Sequence, residues 1–209
     1  MKVAASQWDD IFQRDGRIFL EPAPIVIQFA EQLVSQRFRC VLDVGCGSGR
    51  HVVCMSDFGL EVYGMDNSPA GLRLASEWLA GTGQSQRLIV ADMRCAFPFP
   101  TAFFDALIAT QVIHHAQLAI VRETAYEIAR VVRPGGLILV SVPVRKDDEE
   151  EFKEIEPRTF VPLTGSEKGL PHHIFLPAEL PDLFPHFRTQ DVSVRGDVVA
   201  IYQGLRLWP

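Results

Sequence analysis

The residues with the clearest chemical meaning are the glycines of one short stretch, Gly45, Gly47 and Gly49. They follow an apolar run, Cys40–Val44, and precede a predicted helix. Glycines at such a strand-to-helix turn let the backbone turn tightly and approach a ligand closely. A strict dinucleotide fingerprint would need a glycine at Arg50, and no phosphate-binding Gly-Lys-Ser/Thr follows. The loop therefore predicts a ligand that is neither a dinucleotide nor a nucleoside triphosphate.

An acidic residue, Asp66, ends the second predicted strand, Glu61–Asp66. A carboxylate at this place can accept hydrogen bonds from both hydroxyls of a ribose. The alternatives are a helix N-cap or a solvated strand end. With the glycine loop one strand earlier, we expect Asp66 to bind the ribose of an adenosine-like ligand without a pyrophosphate.

Two adjacent pairs of histidines are candidates for a general base or for substrate binding. His114 and His115 follow the fourth predicted strand, and His172 and His173 lie in a polar stretch over 144–176. Neighbouring side chains of an extended segment point in opposite directions, so one of the second pair could face a site while the other stays in solvent. Either pair could instead only support its loop. Because convergence of four histidines cannot be deduced from sequence, we predict no metal site.

Composition limits the classes of protein that this chain can belong to. It has 209 residues, 47% hydrophobic and 22% charged, with a net charge of −6, which predicts a folded domain and argues against a nucleic-acid-binding protein. No apolar run nears the length of a membrane span, and acids precede any signal-type apolar core. The cysteine spacings match no zinc or redox motif, so we expect reduced, mostly buried thiols and a cytoplasmic protein.

Apolar strands alternate with helices along most of the chain, which predicts a parallel sheet covered on both faces. Two helices precede the first strand, the first with Trp8 and Phe12 on one face, and Pro134-Gly135-Gly136 is predicted to end the fifth helix. An antiparallel hairpin closes one edge of the sheet. The strands are expected at 40–44, 61–66, 88–91, 106–109, 137–142, 189–194 and 198–202.

Five motifs in order resemble those of the class I S-adenosylmethionine-dependent methyltransferases, especially small-molecule methyltransferases with a type 11 or type 25 domain. The resemblance covers roughly 38–143 and implies a Rossmann-like, doubly wound α/β fold with a seven-stranded, mostly parallel sheet, a C-terminal antiparallel hairpin and N-terminal helices. We expect a single domain over 1–209. The motifs are residues 41–49, 64–68, 91–93, 104–115 and 133–136.

The resemblance also implies the residues that bind the cofactor, S-adenosylmethionine, which becomes S-adenosylhomocysteine. Gly45 and Gly47 would approach its methionine half, Asp43 would orient their loop, and Thr110 and Gln111 would line the same half. At the adenosine half of the cofactor, Asp66 would accept hydrogen bonds from the ribose hydroxyls. The remaining implied contacts are Cys46 in the loop, Asn67 beside the adenine, Asp92 at the adenine amine and the Met93 backbone amide.

The implied reaction is transfer of a methyl group to a small-molecule acceptor by in-line displacement, which depends mostly on positioning. A general base is needed only if the acceptor must lose a proton, and His115 and His173 are the candidates. The alternatives are a tRNA or nucleobase methyltransferase, which would need a basic patch, a protein methyltransferase, and a module that binds the cofactor without reacting. A dinucleotide-dependent oxidoreductase is disfavoured, because Arg50 stands where the dinucleotide fingerprint has its third glycine.

Three segments outside the 38–143 core are expected to determine which substrate binds. We expect 1–37 to form a helical cap, 144–176 an insertion or substrate lid, and 177–209 the last helix and the hairpin. The acidic run Asp147–Glu151 is either solvated surface or a mobile lid that attracts a cationic acceptor.

Overall fold

The computed structural model describes residues 7–85, 87–145, 151–196 and 198–208. Its helices are α1 (Gln7–Asp15), α2 (Pro24–Ser35), α3 (Arg50–Asp57), α4 (Pro69–Thr82), α5 (Leu118–Val131) and α6 (Leu180–Leu183), with a 3-10 turn at Pro177–Glu179. Its strands are β1 (Cys40–Val44), β2 (Glu61–Asp66), β3 (Leu88–Val90), β4 (Phe104–Thr110), β5 (Val132–Pro143), β6 (Phe152–Glu156), β7 (Thr159–Pro162), β8 (His172–His173), β9 (Phe187–Arg195) and β10 (Val199–Arg206). The chain divides into two compact units, Met1–Met93 and Arg94–Pro209.

The first unit has three parallel strands in the order β3-β2-β1. The register pairs Asp43 with Gly64 and Val44 with Met65, so the carboxyl ends of β1 and β2 lie side by side. Four of the five residues of β1 are buried, as expected of a strand covered on both faces. This pairing places the glycine loop beside Asp66.

Helix α4 begins where the sequence predicts, because local groups satisfy its first N–H donors. The Ser68 hydroxyl accepts a hydrogen bond from the Gly71 N–H at 2.9 Å, and Pro69 occupies the first helical turn, where no N–H is needed. Gly83, with a φ of +73°, ends the helix in the left-handed conformation.

The second unit has four strands in the order β4-β5-β10-β9. Strands β4 and β5 are parallel, and β10 runs antiparallel to both β5 and β9, so the predicted C-terminal hairpin is confirmed. One motif differs from the prediction. Pro134-Gly135-Gly136 does not end α5, which stops at Val131, but forms an irregularity inside β5 between the pairs Phe104–Val132 and Ala106–Leu137.

This irregularity has a local cause. The Arg133 guanidinium donates to the Asp105 carboxylate at 2.6 Å, and a Cβ at Gly136 would lie 2.6 Å from the Asp105 carbonyl oxygen. The backbone of β5 therefore bulges at a place where glycine is required by close approach.

The segment 144–176, expected to be an insertion or substrate lid, contains a three-stranded sheet in the order β6-β7-β8, and both neighbouring pairs are antiparallel. The sequence does not indicate these strands, because they are short and their apolar residues do not alternate regularly. Most of the acidic run, 147–150, lies outside the described residues, so its two interpretations stay predictions.

The four cysteines, Cys40, Cys46, Cys54 and Cys95, are free thiols as expected. The expectation that most are buried is wrong, because Cys46 alone of the four is buried and Cys95 is exposed. Within the described ranges, none of the helices has the length and apolar character that a membrane crossing needs.

Candidate functional site

The loop after β1 requires glycine because of its backbone angles and its packing. Gly45, Gly47 and Gly49 have φ values of +67°, +51° and +91°, in the left-handed region that favours glycine. The Gly45 N–H donates to the Met65 carbonyl at 2.8 Å, which holds the loop against the end of β2. A Cβ at Gly49 would lie 2.7 Å from the Cβ of Ala75, so the loop also packs tightly on α4.

Asp66 forms hydrogen bonds on both sides of its carboxylate. Its Oδ2 accepts from the Gly47 N–H and its Oδ1 from the Ser68 N–H, each at 2.8 Å. Burial raises the pKa of this carboxyl, while the hydrogen bonds from Ser68, Gly47 and Asn67 oppose that rise. Each carboxylate oxygen has a second lone pair, so Asp66 can still accept hydrogen bonds from a ligand.

Asp43, at the end of β1, is a buried acid that lacks a full set of partners. It is 1% exposed, and its Oδ2 has no hydrogen-bond partner in the part of the chain that the structure describes. Burial raises its pKa well above the ordinary value, and the nearby Arg50 opposes that rise. A buried acceptor without a partner is costly in a folded protein, which marks this end of β1 as a place for a donor from a ligand.

The residues expected to bind the adenosine half follow β2 and β3. Asn67, Asp92 and Met93 are all partly exposed, as a contact with a ligand requires. The Ala91 N–H donates to the Asp66 carbonyl at 2.9 Å, and the charge of Asp92 contributes to the raised pKa of Asp66. The first unit thus brings together the eight predicted cofactor residues that it contains, at the carboxyl ends of its strands.

Helix α1 contributes contacts that the sequence did not indicate. Asp9, buried in α1, accepts hydrogen bonds from the Ser68 hydroxyl at 2.8 Å and from the Ala70 N–H at 2.7 Å. The Phe12 ring packs on the glycine loop so closely that a Cβ at Gly47 would lie 2.9 Å from it. No sequence motif distinguishes Asp9 from its neighbour Asp10.

Two residues near the loop have structural roles. His51 is 3% exposed and accepts the Ala23 N–H at its Nε2, 3.2 Å away; burial lowers its pKa to about 3. The ring is therefore neutral and connects the start of α2 to α3. Burial also raises the pKa of the Cys46 thiol well above its ordinary value, so this group is a poor nucleophile.

In the second unit, Thr110 and Gln111 lie at the carboxyl end of β4. Thr110 is 9% exposed, and Gln111 is held in the left-handed region with a φ of +55°. The Gln111 N–H donates to the Ser141 carbonyl at 2.9 Å, which stabilises this unusual conformation. Strained non-glycine residues often occur at functional sites.

The histidine pairs, far apart in sequence, meet in the second unit. The His173 N–H donates to the His114 carbonyl at 2.8 Å, which fixes β8 against the turn after β4. The rings of His114 and His115 have centroids 3.8 Å apart, and the ring of His172 lies 4.9 Å from that of His115. Burial lowers the pKa of His115 to about 4. Burial also lowers the pKa of His114 well below its ordinary value, so the adjacent rings of His114 and His115 are uncharged at neutral pH.

His173 points away from this cluster, so the expected opposite directions of the second pair are confirmed. Neither side chain is in solvent, however, since His172 is 15% and His173 1% exposed. The His173 Nδ1 lies 2.8 Å from the Thr159 hydroxyl, which donates to Glu156 at 2.9 Å, so Nδ1 is the protonated nitrogen. Burial lowers the pKa of this ring.

The Nε2 of His173 is therefore an acceptor, and it has no hydrogen-bond partner among the described residues. The residue lines a cavity of about 430 Å³ between α5 and the segment around α6. Arg122, Arg158 and Glu179 line the same cavity, which gives it charged groups of both signs. The contributions of Thr159 and Glu156 could not be found from sequence, because no motif connects them with His173.

Comparison with known proteins finds similarity to methyltransferases. A family model described as a methyltransferase domain matches residues 42–140. The chain is 29% identical over 133 residues to a sterol 4-C-methyltransferase of Caenorhabditis elegans, a match covering 60% of this chain and 39% of that protein. It is 34% identical over 124 residues to a tRNA (carboxymethyluridine(34)-5-O)-methyltransferase of Arabidopsis thaliana, covering 57% and 27%. The chain thus spans less than half the length of these two relatives.

The solved structures that are similar show the same fold. The PH0226 protein from Pyrococcus horikoshii OT3 superposes with a TM-score of 0.73 at 19% identity, over 99% of this chain and 94% of that one. The predicted α/β fold class is therefore confirmed. The predicted cofactor and methyltransferase class also agree with the family model and the relatives. On its motifs, its fold and these matches, the chain is similar to the class I S-adenosylmethionine-dependent methyltransferases.

Proposed function

We propose that this chain transfers a methyl group from S-adenosylmethionine to a small-molecule acceptor. The observation that carries the proposal is the pairing of the glycine loop with Asp66, through the 2.8 Å hydrogen bond from the Gly47 N–H. This hydrogen bond places the carboxylate of Asp66, which can accept hydrogen bonds from a ligand, directly against a loop that a ligand can approach closely.

The residues of the first unit fit the cofactor's chemistry. Asp43 has a buried carboxylate oxygen without a partner, suited to the cofactor's amino group directly or through water. Asp66 keeps lone pairs for the ribose hydroxyls, and Asn67, Asp92 and Met93, all partly exposed, are proposed to contact the adenine. The other residues proposed to contact the cofactor are Gly45, Cys46, Gly47, Thr110 and Gln111.

When bound, S-adenosylmethionine supplies an electrophilic methyl group on a sulfonium centre. The residues of the chain then have to orient that group, exclude water and place the acceptor atom in line with the bond that breaks. The strained Gln111 and the backbone of the glycine loop are held by hydrogen bonds to Ser141 and Met65 respectively, which suits them to fix a position.

On the acceptor side we propose a role for His173. Its Nδ1–H is directed to Thr159, and the hydroxyl of Thr159 is directed to Glu156, so the free Nε2 has a fixed tautomer. A neutral imidazole of this kind can accept a proton or a hydrogen bond from an acceptor hydroxyl or amine. The ring of His115 is packed among other histidines. A catalytic role for this residue therefore stays a prediction from the sequence.

The small-molecule class is supported by the acidic net charge of −6 and by the sterol methyltransferase among the relatives. A tRNA acceptor is the second candidate, because a relative of similar identity is a tRNA methyltransferase. It would need a cationic surface, and Arg17, one of the arginines that could contribute to such a surface, donates to the Leu74 carbonyl at 3.1 Å. We therefore rank the small molecule first.

Calorimetric titration with S-adenosylmethionine, S-adenosylhomocysteine and, separately, NAD tests the proposal. We expect micromolar binding of both adenosyl compounds and none of NAD. Binding of NAD, or of none of the three by a folded protein, would overturn it. Transfer of a labelled methyl group, with a panel of small molecules compared with bulk tRNA, then distinguishes the two acceptor classes.

A further inference from the structure

Three histidines, one buried and two half-buried, converge in the second unit. His114, His115 and His172 each offer a nitrogen, and these atoms all lie within 4.8 Å of one another. His114 is 5% exposed, and its Nδ1 has no hydrogen-bond partner in the part of the chain that the structure describes. A buried ring nitrogen without a partner lowers the stability of the fold unless something else binds it.

A carboxylate lies against the same cluster. The Oε2 of Glu167 is 2.9 Å from the Nε2 of His172 and 3.8 Å from the Nε2 of His115. The turn that carries Glu167 is held by two backbone hydrogen bonds, Gly169 N–H to the Pro162 carbonyl and Leu170 N–H to the Glu167 carbonyl, both 3.0 Å. The acid is thus part of the folded segment and directed toward the histidines.

We propose that His114, His115, His172 and Glu167 form a binding site for one divalent transition-metal ion. Three imidazole nitrogens and one carboxylate oxygen are a ligand set that suits zinc and its neighbours in the first transition row, and not calcium or magnesium, which prefer oxygen ligands. Metal–nitrogen bonds of about 2.0–2.1 Å place tetrahedral ligand nitrogens roughly 3.3 Å apart. Side-chain rotations that shorten the longest separation by roughly 1.5 Å would therefore complete the site.

The fold explains why these four residues meet. Hydrogen bonding of the His173 N–H to the His114 carbonyl brings β8 to the turn after β4, and the alternation of side chains along β8 directs His172 to the cluster. An ion bound here would cross-link the β4 turn to the 163–173 segment. The ion would also bind a ring nitrogen of His115 through its lone pair. With that lone pair bound to the metal, His115 could not act as a general base.

The site is tested with the full chain, without a histidine tag and after treatment with a chelator, in the absence of S-adenosylmethionine. Cobalt(II) is titrated and followed by its visible absorption, and zinc(II) is then added as a competitor. We expect one cobalt ion per chain with the intense bands of four-coordinate cobalt, displacement by one equivalent of zinc, and a rise in melting temperature with zinc.

Variants assign the ligands. His172→Asn and Glu167→Gln should each weaken zinc binding at least tenfold, whereas His186→Asn, at an exposed histidine of the same unit, should leave it unchanged. Binding that is weaker than millimolar, or equal in His172→Asn and His186→Asn, would overturn the proposal. These results do not depend on the proposed methyltransferase activity, which is measured separately.

A measurement on the unchanged protein covers the case in which a variant does not fold. With histidine rings labelled for NMR, zinc should shift the ring signals of three of the six histidines, those of His114, His115 and His172. Shifts of His51, His173 or His186 instead, or no shift at all, would show that the cluster is only a packed group of rings that binds no metal.

Discussion

The backbone N–H of Gly47 donates a hydrogen bond to the Asp66 carboxylate at 2.8 Å, and the other oxygen of that carboxylate accepts the Ser68 N–H at 2.8 Å. One buried acid thereby joins the loop after β1 to the start of α4. The same group is proposed to bind the ribose, so the shape of the loop and the binding of the ligand depend on a single side chain.

Asp66→Asn should weaken the binding of S-adenosylhomocysteine at least tenfold, which is about 1.4 kcal/mol. An amide keeps one acceptor oxygen but loses the charge and the second acceptor. Isothermal titration calorimetry measures the effect, with Glu77→Gln, at an exposed acid of α4, as the control. Unchanged affinity in a variant of normal melting temperature would refute the assignment of the ribose to Asp66.

Gly49→Ala should lower the free energy of unfolding by about 2 kcal/mol or more, because the left-handed conformation costs alanine roughly 1–2 kcal/mol and the new Cβ meets Ala75. Gly81 lies in α4 with no atom within 4 Å of an added Cβ. Gly81→Ala should therefore stabilise the protein by about 0.5–1 kcal/mol. Urea unfolding measures both, and equal effects of the two substitutions would contradict the described loop.

Asp9→Ala should lower the free energy of unfolding by about 1–3 kcal/mol, because Ser68 and the Ala70 N–H each lose a buried, charged acceptor. The adjacent Asp10 is exposed, so Asp10→Ala is a control on the same helix and should change stability by less than about 0.5 kcal/mol. If the two variants unfold at the same urea concentration, α1 is not fixed through Asp9.

His51 should make the protein sensitive to acid. Its folded pKa of about 3 lies below the unfolded value of 6.5, so the unfolded state binds more protons between these values, and stability falls as pH falls from 6.5 toward 3. The stability difference between wild type and His51→Gln should therefore shrink by roughly 2–3 kcal/mol between pH 7 and pH 4.5. Urea unfolding at both pH values measures this, and a constant difference would show that His51 is not buried neutral.

His173→Ala should lower the rate of methyl transfer at least tenfold while leaving the affinity for S-adenosylhomocysteine unchanged, since its Nε2 is proposed to face the acceptor. Thr159→Val removes the hydroxyl that keeps the proton of His173 on Nδ1. The rate of this variant should therefore depend more strongly on pH than that of the wild type. Glu123→Gln, at an exposed acid of α5 that does not line the cavity, is the control. If His173→Ala kept full activity, the role of the His173 ring would be structural, through its contact with Thr159.

Much of the first unit was predictable from the sequence alone. The bounds of β1 and β2 agree with the prediction to the residue, and the glycine loop and Asp66 occupy the places expected. The reason is that these features are local: apolar strands, left-handed glycines and an acid at a strand end each depend on a few neighbouring residues. The division of 1–209 into one domain with a cap, core and insertion stays a prediction.

The remaining features depended on contacts between residues distant in sequence. Asp9 meets Ser68 across 59 positions, and the four histidines were sorted into a cluster of three and a separate His173 by the pairing of β8 with β7 and with the His114 turn. Neither relationship leaves a local pattern, because the side chains acquire their partners through strand pairing and helix packing. The sequence by itself indicated the resemblance to methyltransferases, the fold class and the place of the glycine loop, whereas tertiary structure decided which acids and histidines lie together.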